Sequence, residues 1–137
     1  MPTTPAPDLL EHARSLLPDA GALRRELHRH PELGLDLPRT QATVIEALAG
    51  LPLDTRPGAT IGSVVGDPRG GYGPVVLLRA EVDALAMTED TGQPCASEHP
   101  GAMHACGHDA HTAMLVGTAR VLIERYDELR GTVRCMF

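Results

Sequence analysis

Residues 75–83 read VVLLRAEVD, and this stretch decides the fold class. Its first four residues form a continuous apolar run, which is typical of a strand buried on both faces of an α/β sheet. A segment of helical periodicity over about 109–126 follows, and then an apolar segment over 132–137. A strand, a helix and a second strand in this order predict a crossover connection between parallel strands, and hence an α/β layer arrangement.

The rest of the chain divides into a short lead-in and one domain segment. Residues 1–7 (MPTTPAP) cannot nucleate a helix and are predicted to be disordered, whereas residues 8–137 are predicted to form part of one α/β domain. Caps, breakers and apolar periodicity predict further elements before residue 83. These are helices over about 8–17, from Pro18 to His30 and from an Asp36 cap to Gly50, strands over 60–66 and 74–82, and a hairpin-like connection at 66–73.

The two last elements carry more detailed expectations. The helix over 109–126 is expected to bury one stripe of side chains: Met114, Leu115, Ala119, Leu122, Ile123 and Tyr126. The strand over 132–137 is expected to expose an edge prone to pairing with other chains, because strands that would normally flank it are not present. The isolated chain is therefore predicted to be poorly soluble or oligomeric.

Composition restricts the possible class of protein and its cellular compartment. The 137 residues include 12 basic and 18 acidic side chains, and the net charge of −6 argues against a nucleic-acid or anionic-membrane surface. Three cysteines and no secretory signal predict a reduced, cytoplasmic protein without a disulfide framework. Aromatic residues make up only 2% of the chain, which predicts a core that is thin or shared with further polypeptide.

The strongest chemical signal is the stretch HPGAMHACGHDAHTAM at 99–114. It holds four of the seven histidines together with Cys106 and Asp109. Thiolate and imidazole are the ligands that a cation such as zinc selects, so Cys106 and His108 predict a metal or catalytic site where a loop enters a helix. The alternative is a small buried cysteine among surface histidines. A structural zinc site has four ligands, so the cluster predicts half of a site.

Two further stretches flank this signal. Glu81 and Asp83 follow the apolar strand, at the sheet edge where ligand sites of α/β proteins gather, and Asp83 is a candidate to orient a ligand imidazole. A solvated strand end is the alternative for both carboxylates. The third stretch, HRHPELG at 28–34, is predicted to be a helix end with a proline stop and a glycine turn, not a source of ligands.

Taken in order, HRHPELG, LLRAEVDAL, GAMHACGHDAHTAML and GTVRCMF resemble the amidohydrolase branch of the aminoacylase and carboxypeptidase-G type co-catalytic metallopeptidases. The resemblance runs from about Leu23 to Phe137. It implies the N-terminal part of a three-layer α/β/α zinc-peptidase-like catalytic domain, with an incomplete sheet. It also implies a metal-dependent amidohydrolase that cleaves the amide bond of N-acyl amino acids by attack of metal-activated water.

The same resemblance assigns roles to single residues. Cys106 and His108 become direct ligands in a site for two divalent metals, zinc or manganese, and Asp83 matches the aspartate that supports it. The general base, further ligands and a dimerisation domain of the family have no counterpart in these residues, so the truncated chain alone is expected to be inactive. The implied partner is a small N-acyl amino acid, with no nucleic acid or membrane, and a homodimer in the full-length protein.

The chain departs from the family pattern at several positions. Glu81 stands where the family usually has Asp, Ala86 where a Pro usually follows, and Leu37-Pro38 replaces acidic and polar residues. The roles of His104 and His111 stay open. Two alternatives from other classes also remain: a non-catalytic remnant or metal-binding module of the same fold, and a nucleophilic hydrolase that uses Cys106 with a histidine.

Overall fold

The computed structural model describes residues 6–68 and 72–137. In these ranges the chain forms four α-helices, one short 3-10 helix and four strands. The helices are α1 (Ala6–Ser15), α2 (Leu17–Arg29), α3 (Pro38–Leu48) and α4 (His108–Glu124), with the 3-10 helix at Tyr126–Glu128. The strands are β1 (Asp54–Pro57), β2 (Val64–Asp67), β3 (Val75–Arg79) and β4 (Thr132–Met136). The predicted α/β class is confirmed.

The crossover predicted from VVLLRAEVD is present. β3 and β4 pair in parallel, with Val76 opposite Val133 and Leu78 opposite Cys135, and α4 lies between them in the chain. The sheet order is β1-β2-β4-β3, and the other two pairings are antiparallel. Four described strands make an incomplete sheet, as the resemblance implied.

The strand order overturns three expectations about the sheet. β4 lies between β2 and β3, so it is not an exposed edge, and β3 is the edge instead. Val75, Val76 and Leu77 are between 51% and 61% exposed, so β3 is not buried on both faces. The expected hairpin fails as well, because β4 separates β2 from β3; residues 69–71 of its connection lie outside the described part of the chain.

The start of α3 and the strand before β2 also differ from expectation. Leu37, not Asp36, is the residue before the helix, and it makes no side-chain cap. Instead the Glu32 carboxylate accepts hydrogen bonds from the backbone N–H groups of Arg39 (3.2 Å) and Thr40 (2.7 Å). β1 was not predicted because its sequence, DTRP, has no apolar run. Among the first residues, α1 begins at Ala6, and residues 1–5 of the expected lead-in lie outside the described ranges.

The core lies between the helices and the sheet. Its fully buried members include Val44 and Leu48 of α3, Val64 of β2, Ala119 of α4 and Cys135 of β4. Burial raises the pKa of the Cys135 thiol to about 11, with the charge of Asp67 adding to the effect. All three cysteines are free, as expected. None of the described helices is long and apolar enough to cross a bilayer.

The buried face of α4 is rotated from the predicted stripe. Leu115 and Ala119 are buried as expected, but Met114 is 59% and Tyr126 is 45% exposed. The other buried residues of α4 are the polar His108, Asp109 and Thr112 and the apolar Ala113 and Val116. A stripe of large apolar side chains could not reveal the polar part of this face.

Candidate metal centre

His108 is the first residue of α4, and Asp83 holds its ring in place. The Nδ1 atom of His108 lies 2.8 Å from the carbonyl oxygen of Asp83 and 3.0 Å from its carboxylate Oδ1. A carbonyl oxygen only accepts hydrogen bonds, so Nδ1 carries the proton and donates it. This is the role predicted for Asp83, and it is the arrangement that fixes the tautomer of metal-binding histidines.

Two neighbours fix the start of α4 against the end of β3. The single hydroxyl proton of Thr112 is shared between the carbonyl of His108 (2.8 Å) and the carbonyl of Glu81 (3.2 Å). Gly107, the residue before the helix, has φ +83°, a left-handed conformation that favours glycine. The backbone therefore turns tightly between Cys106 and His108.

The second nitrogen of His108 faces Glu81. Its Nε2 atom lies 3.1 Å from Glu81 Oε2, while Glu81 Oε1 accepts a hydrogen bond from Arg79 at 3.0 Å. The strand itself ends at Arg79, yet the carboxylates of Glu81 and Asp83 both reach the same imidazole. Carboxylates therefore contact both ring nitrogens of His108.

Cys106 lies at the solvent-exposed side of this loop. Its side chain is exposed, and His108 is engaged by Asp83 and Glu81 rather than paired with the thiol. Within residues 6–68 and 72–137, no group of three His, Cys, Asp or Glu side chains is placed to hold a metal ion. The donor types nevertheless suit a divalent cation, since the imidazole of His108 is oriented by Asp83 and the Cys106 thiol lies two residues before it in the chain.

The opposite side of the α4 N-terminus is closed by a buried ionic cluster. The Asp109 side chain is 0% exposed, and its Oδ2 atom accepts from Arg24 Nε and from His28 Nδ1, both at 2.7 Å. His28 continues to the Glu89 carboxylate, with 3.2 Å between Nε2 and Oε1. Arg24, His28, Glu89 and Asp109 are called the anchor cluster below.

Glu89 is held in the ionised form. Burial by itself would raise the pKa of this carboxyl, but hydrogen bonds from the Thr91 hydroxyl, the Ser97 backbone N–H and His28 lower it to about 2. The Ser97 bond is 2.7 Å long, and the Glu89 side chain is 2% exposed. Its negative charge is therefore a permanent partner for His28 at neutral pH.

His104 and His111 border the centre in different ways. His104 is 5% exposed and neither ring nitrogen has a hydrogen-bond partner. Burial lowers the pKa of His104, although the nearby charge of Asp109 opposes this. His111 is exposed and its ring stacks on His108, with 6.0 Å between centroids.

The HRHPELG stretch supports the centre from behind, and its lack of a ligand role stays a prediction. His28 belongs to the anchor cluster, and Glu32 caps α3 as described above. Leu33 pairs with Ala84, whose backbone N–H donates to the carbonyl of Glu32 at 2.8 Å. This turn thereby holds the segment that carries Asp83.

A cavity of about 340 Å³ opens beside Glu81 and Asp83, beyond the carboxyl ends of β3 and β4. Its apolar wall includes Leu37, Ile61 and Phe137. Ligand sites of open α/β sheets lie at this edge. The cavity therefore places a concave space next to the carboxylates that contact His108.

The anchor cluster is the part of the site that motif reasoning missed. Arg24 and His28 are four residues apart on α2 and share one helical face. Asp109 directly follows His108 at a helix start, a position where a carboxylate is favoured. These two local signals were available, but nothing in the sequence joined them across the 81 positions between His28 and Asp109.

Comparison with known proteins agrees with this geometry. Residues 77–137 match the family described as Peptidase family M20/M25/M40. A solved Bacillus subtilis structure, described as a dinuclear metal binding peptidase from the M20 family, superposes with a TM-score of 0.86 at 38% identity. The likeness covers 90% of this chain and 35% of that one. The chain is therefore a homologue of the M20 peptidases, and the resemblance drawn from its motifs is confirmed.

Two of the similar curated proteins are named as a deacetylase and an amidohydrolase. The chain is 45% identical to N-acetyl-L-cysteine deacetylase of Bacillus subtilis, over 84% of this chain and 28% of that protein. It is 43% identical to N-acyl-L-amino acid amidohydrolase of Geobacillus stearothermophilus, over 87% of this chain and 32% of that protein. The chain thus spans about a third or less of the length of these relatives.

Proposed function

We propose that residues 8–137 form the N-terminal segment of the catalytic domain of a metal-dependent amidohydrolase that acts on N-acyl amino acids. The observation that carries the proposal is the oriented imidazole of His108, whose Nδ1 is held by Asp83 and whose Nε2 points away from it. The named amidohydrolase and deacetylase relatives support the reaction class. The general base and the remaining metal ligands are assigned to polypeptide outside these 137 residues.

In this proposal each residue of the centre has a separate task. His108 and Cys106 hold divalent metal, zinc or manganese, and Asp83 keeps the proton of His108 on Nδ1, so that Nε2 offers its lone pair. The anchor cluster keeps the first turn of α4 in place. When bound, the metal supplies Lewis acidity and a nucleophile at neutral pH. The cavity beside Glu81 and Asp83 receives the acyl amino acid.

Metal binding by the purified chain tests the ligand assignment. After dialysis against zinc or manganese, metal content and affinity are measured for wild type, Cys106→Ala and His108→Ala. Each variant is expected to lose at least about 10-fold in affinity, a loss that even residues behind the ligands can produce. Cys95→Ala and His99→Ala, which change a buried cysteine and an exposed histidine, are the controls and should bind like wild type. Equal binding by all five proteins would refute the assignment.

Hydrolysis separates the proposal from the two alternatives. Supplied with an N-acetyl amino acid, the 137-residue chain is expected to show no turnover, because the proposal assigns the general base to polypeptide outside it. Turnover that survives chelator and is abolished by iodoacetamide would favour Cys106 as a nucleophile. If a longer chain with the residues after Phe137 binds metal but remains inactive, the non-catalytic metal-binding module is the better description.

A further inference from the structure

Glu81 has the geometry of a second donor beside His108. The distance of 3.1 Å joins its Oε2 atom to the one ring nitrogen of His108 that Asp83 leaves available. Two donors that share one tetrahedral cation, each about 2.0–2.1 Å from it, lie about 3.3 Å apart. The Glu81 carboxylate and the His108 imidazole therefore already stand at the separation that a shared cation requires.

The neighbours of Glu81 direct this oxygen toward His108. Arg79 binds the other carboxylate oxygen, Oε1, at 3.0 Å, so that Oε2 is the one turned to Nε2. The Glu81 carbonyl is tied to α4 by the Thr112 hydroxyl at 3.2 Å, which fixes the backbone from which the side chain extends. The Glu81 side chain is 47% exposed, so a cation could reach this carboxylate from solvent.

Side-chain length matters at this position. Glutamate carries one methylene more than the aspartate that is usual here, and this changes the position of the carboxylate by about an ångström, a shift that decides ligation. In this chain the longer side chain places Oε2 at 3.1 Å from His108 Nε2. A solvated strand end, the alternative weighed from the sequence, would not place the carboxylate on a buried imidazole.

We propose that Glu81 is a metal-ligating residue that shares a divalent cation with His108 Nε2. This assignment rests on the proposed function, since it requires that His108 bind metal. Glu81 adds a carboxylate from the end of β3 to the ligands at the start of α4, so that the crossover brings both sides of the centre together.

The test separates the charge of the side chain at position 81 from its length. Zinc affinity of the 137-residue chain is measured by competition with a chromophoric chelator for wild type, Glu81→Gln and Glu81→Asp, with Glu98→Gln as the control for an exposed glutamate. Ligation predicts that Glu81→Gln and Glu81→Asp both lose at least about 10-fold in affinity, because neither places a charged oxygen at 3.1 Å from Nε2. Glu98→Gln should bind like wild type.

Cobalt provides a readout that is independent of affinity. The visible absorption of Co²⁺ bound to the chain reports the donors around it, so it should change in Glu81→Gln and stay unchanged in Glu98→Gln. Circular dichroism and thermal unfolding without metal should be equal in all variants, since Glu81 is half exposed. Unequal unfolding would make the cobalt spectrum of the folded fraction the deciding measurement.

The outcomes distinguish a failure of the Glu81 assignment from a failure of the proposed function. Wild-type affinity or a gain in affinity in Glu81→Gln overturns ligation, because the carboxylate would then only occupy the place of the cation. Wild-type affinity in Glu81→Asp also overturns it, since charge without reach would suffice. If the Cys106→Ala and His108→Ala variants bind zinc like wild type, the proposed function fails and this assignment fails with it.

Discussion

The two sides of the first turn of α4 differ in how completely they are built. On one side the anchor cluster is buried, and Asp109 and Glu89 have side chains that are 0% and 2% exposed. On the other side Cys106 and Glu81 face solvent, and β3 leaves apolar side chains uncovered. The side chains of the closed side form ion pairs and hydrogen bonds with each other, whereas the open side exposes the Cys106 thiol and the Glu81 carboxylate to solvent.

This contrast shows how a site can be positioned before it is complete. In the proposed metal centre Asp83 sets the direction of the His108 ring, while the closed side holds the first turn of α4 from which that ring extends. The open side keeps the donors accessible. Changes on the closed side should therefore act on folding first, and changes on the open side on binding or association.

The largest effect is expected for Asp109→Ala, which breaks the closed side. Its removal leaves Arg24 and His28 without their buried partner, and breaking a buried ion pair destabilises by about 3–5 kcal/mol. Urea unfolding at neutral pH measures this loss. The control is Asp19→Asn, which removes an exposed pair with Arg120 and should cost less than about 1 kcal/mol. Equal losses in the two variants would show that the anchor cluster contributes no more than a surface pair.

Glu89→Gln is expected to have the next largest effect, about 1–3 kcal/mol at pH 7, because it weakens hydrogen bonds to a buried charge. The folded state lowers the pKa of Glu89 from 4.5 to about 2. Its ionised form therefore contributes stability that is present above about pH 5 and is lost as pH falls toward 2. Urea unfolding between pH 7 and pH 3 should show the wild type and variant converging on acidification. Glu46→Gln should leave the pH dependence unchanged, and parallel curves for Glu89→Gln would contradict this account.

Gly107→Ala tests the junction between the two sides. No atom lies within 4 Å of the added Cβ, so the cost comes from the left-handed backbone alone and should be about 1–2 kcal/mol. Gly50→Ala is a matched control, with φ +78° and equal space. Both variants should lose similar stability in thermal unfolding, but only Gly107→Ala should also weaken zinc binding. A loss of zinc affinity in both would mean that general destabilisation, not the turn, is the cause.

The smallest change in stability is expected for Leu77→Lys on the open side. Leu77 is 52% exposed on the edge strand, and surface substitutions of this kind alter stability by about 0.5 kcal/mol or less. A lysine on an edge strand opposes pairing with another chain, so self-association measured by sedimentation should fall. Leu10→Lys, at the same 52% exposure on α1, should leave association unchanged. A wild-type chain that is monomeric at high concentration would refute the expected association.

The sequence predicted the contact of Asp83 with an imidazole better than the packing that supports it, and the metal-ligand roles of Cys106 and His108 stay predictions. Cys106, His108 and Asp83 came from residue type and position, and the contact of Asp83 with His108 agrees with the predicted role. The anchor cluster could not be predicted from the sequence, because His28 and Glu89 are 61 positions apart and no local periodicity relates them. The predicted apolar stripe of α4 also left out the polar residues of the inner face, since Thr112 and Asp109 are buried there.

Local pattern by itself determined the strand, helix and strand of the crossover and the loop that carries Cys106 and His108. These depend on apolar runs, caps and turn residues within a few positions of each other. Only the tertiary structure decided that β4 lies between β2 and β3 and leaves β3 at the edge. Strand order depends on which distant segments pair by hydrogen bonds and bury apolar surface against each other. The same long-range packing brings Glu81, Asp83 and His108 to one point.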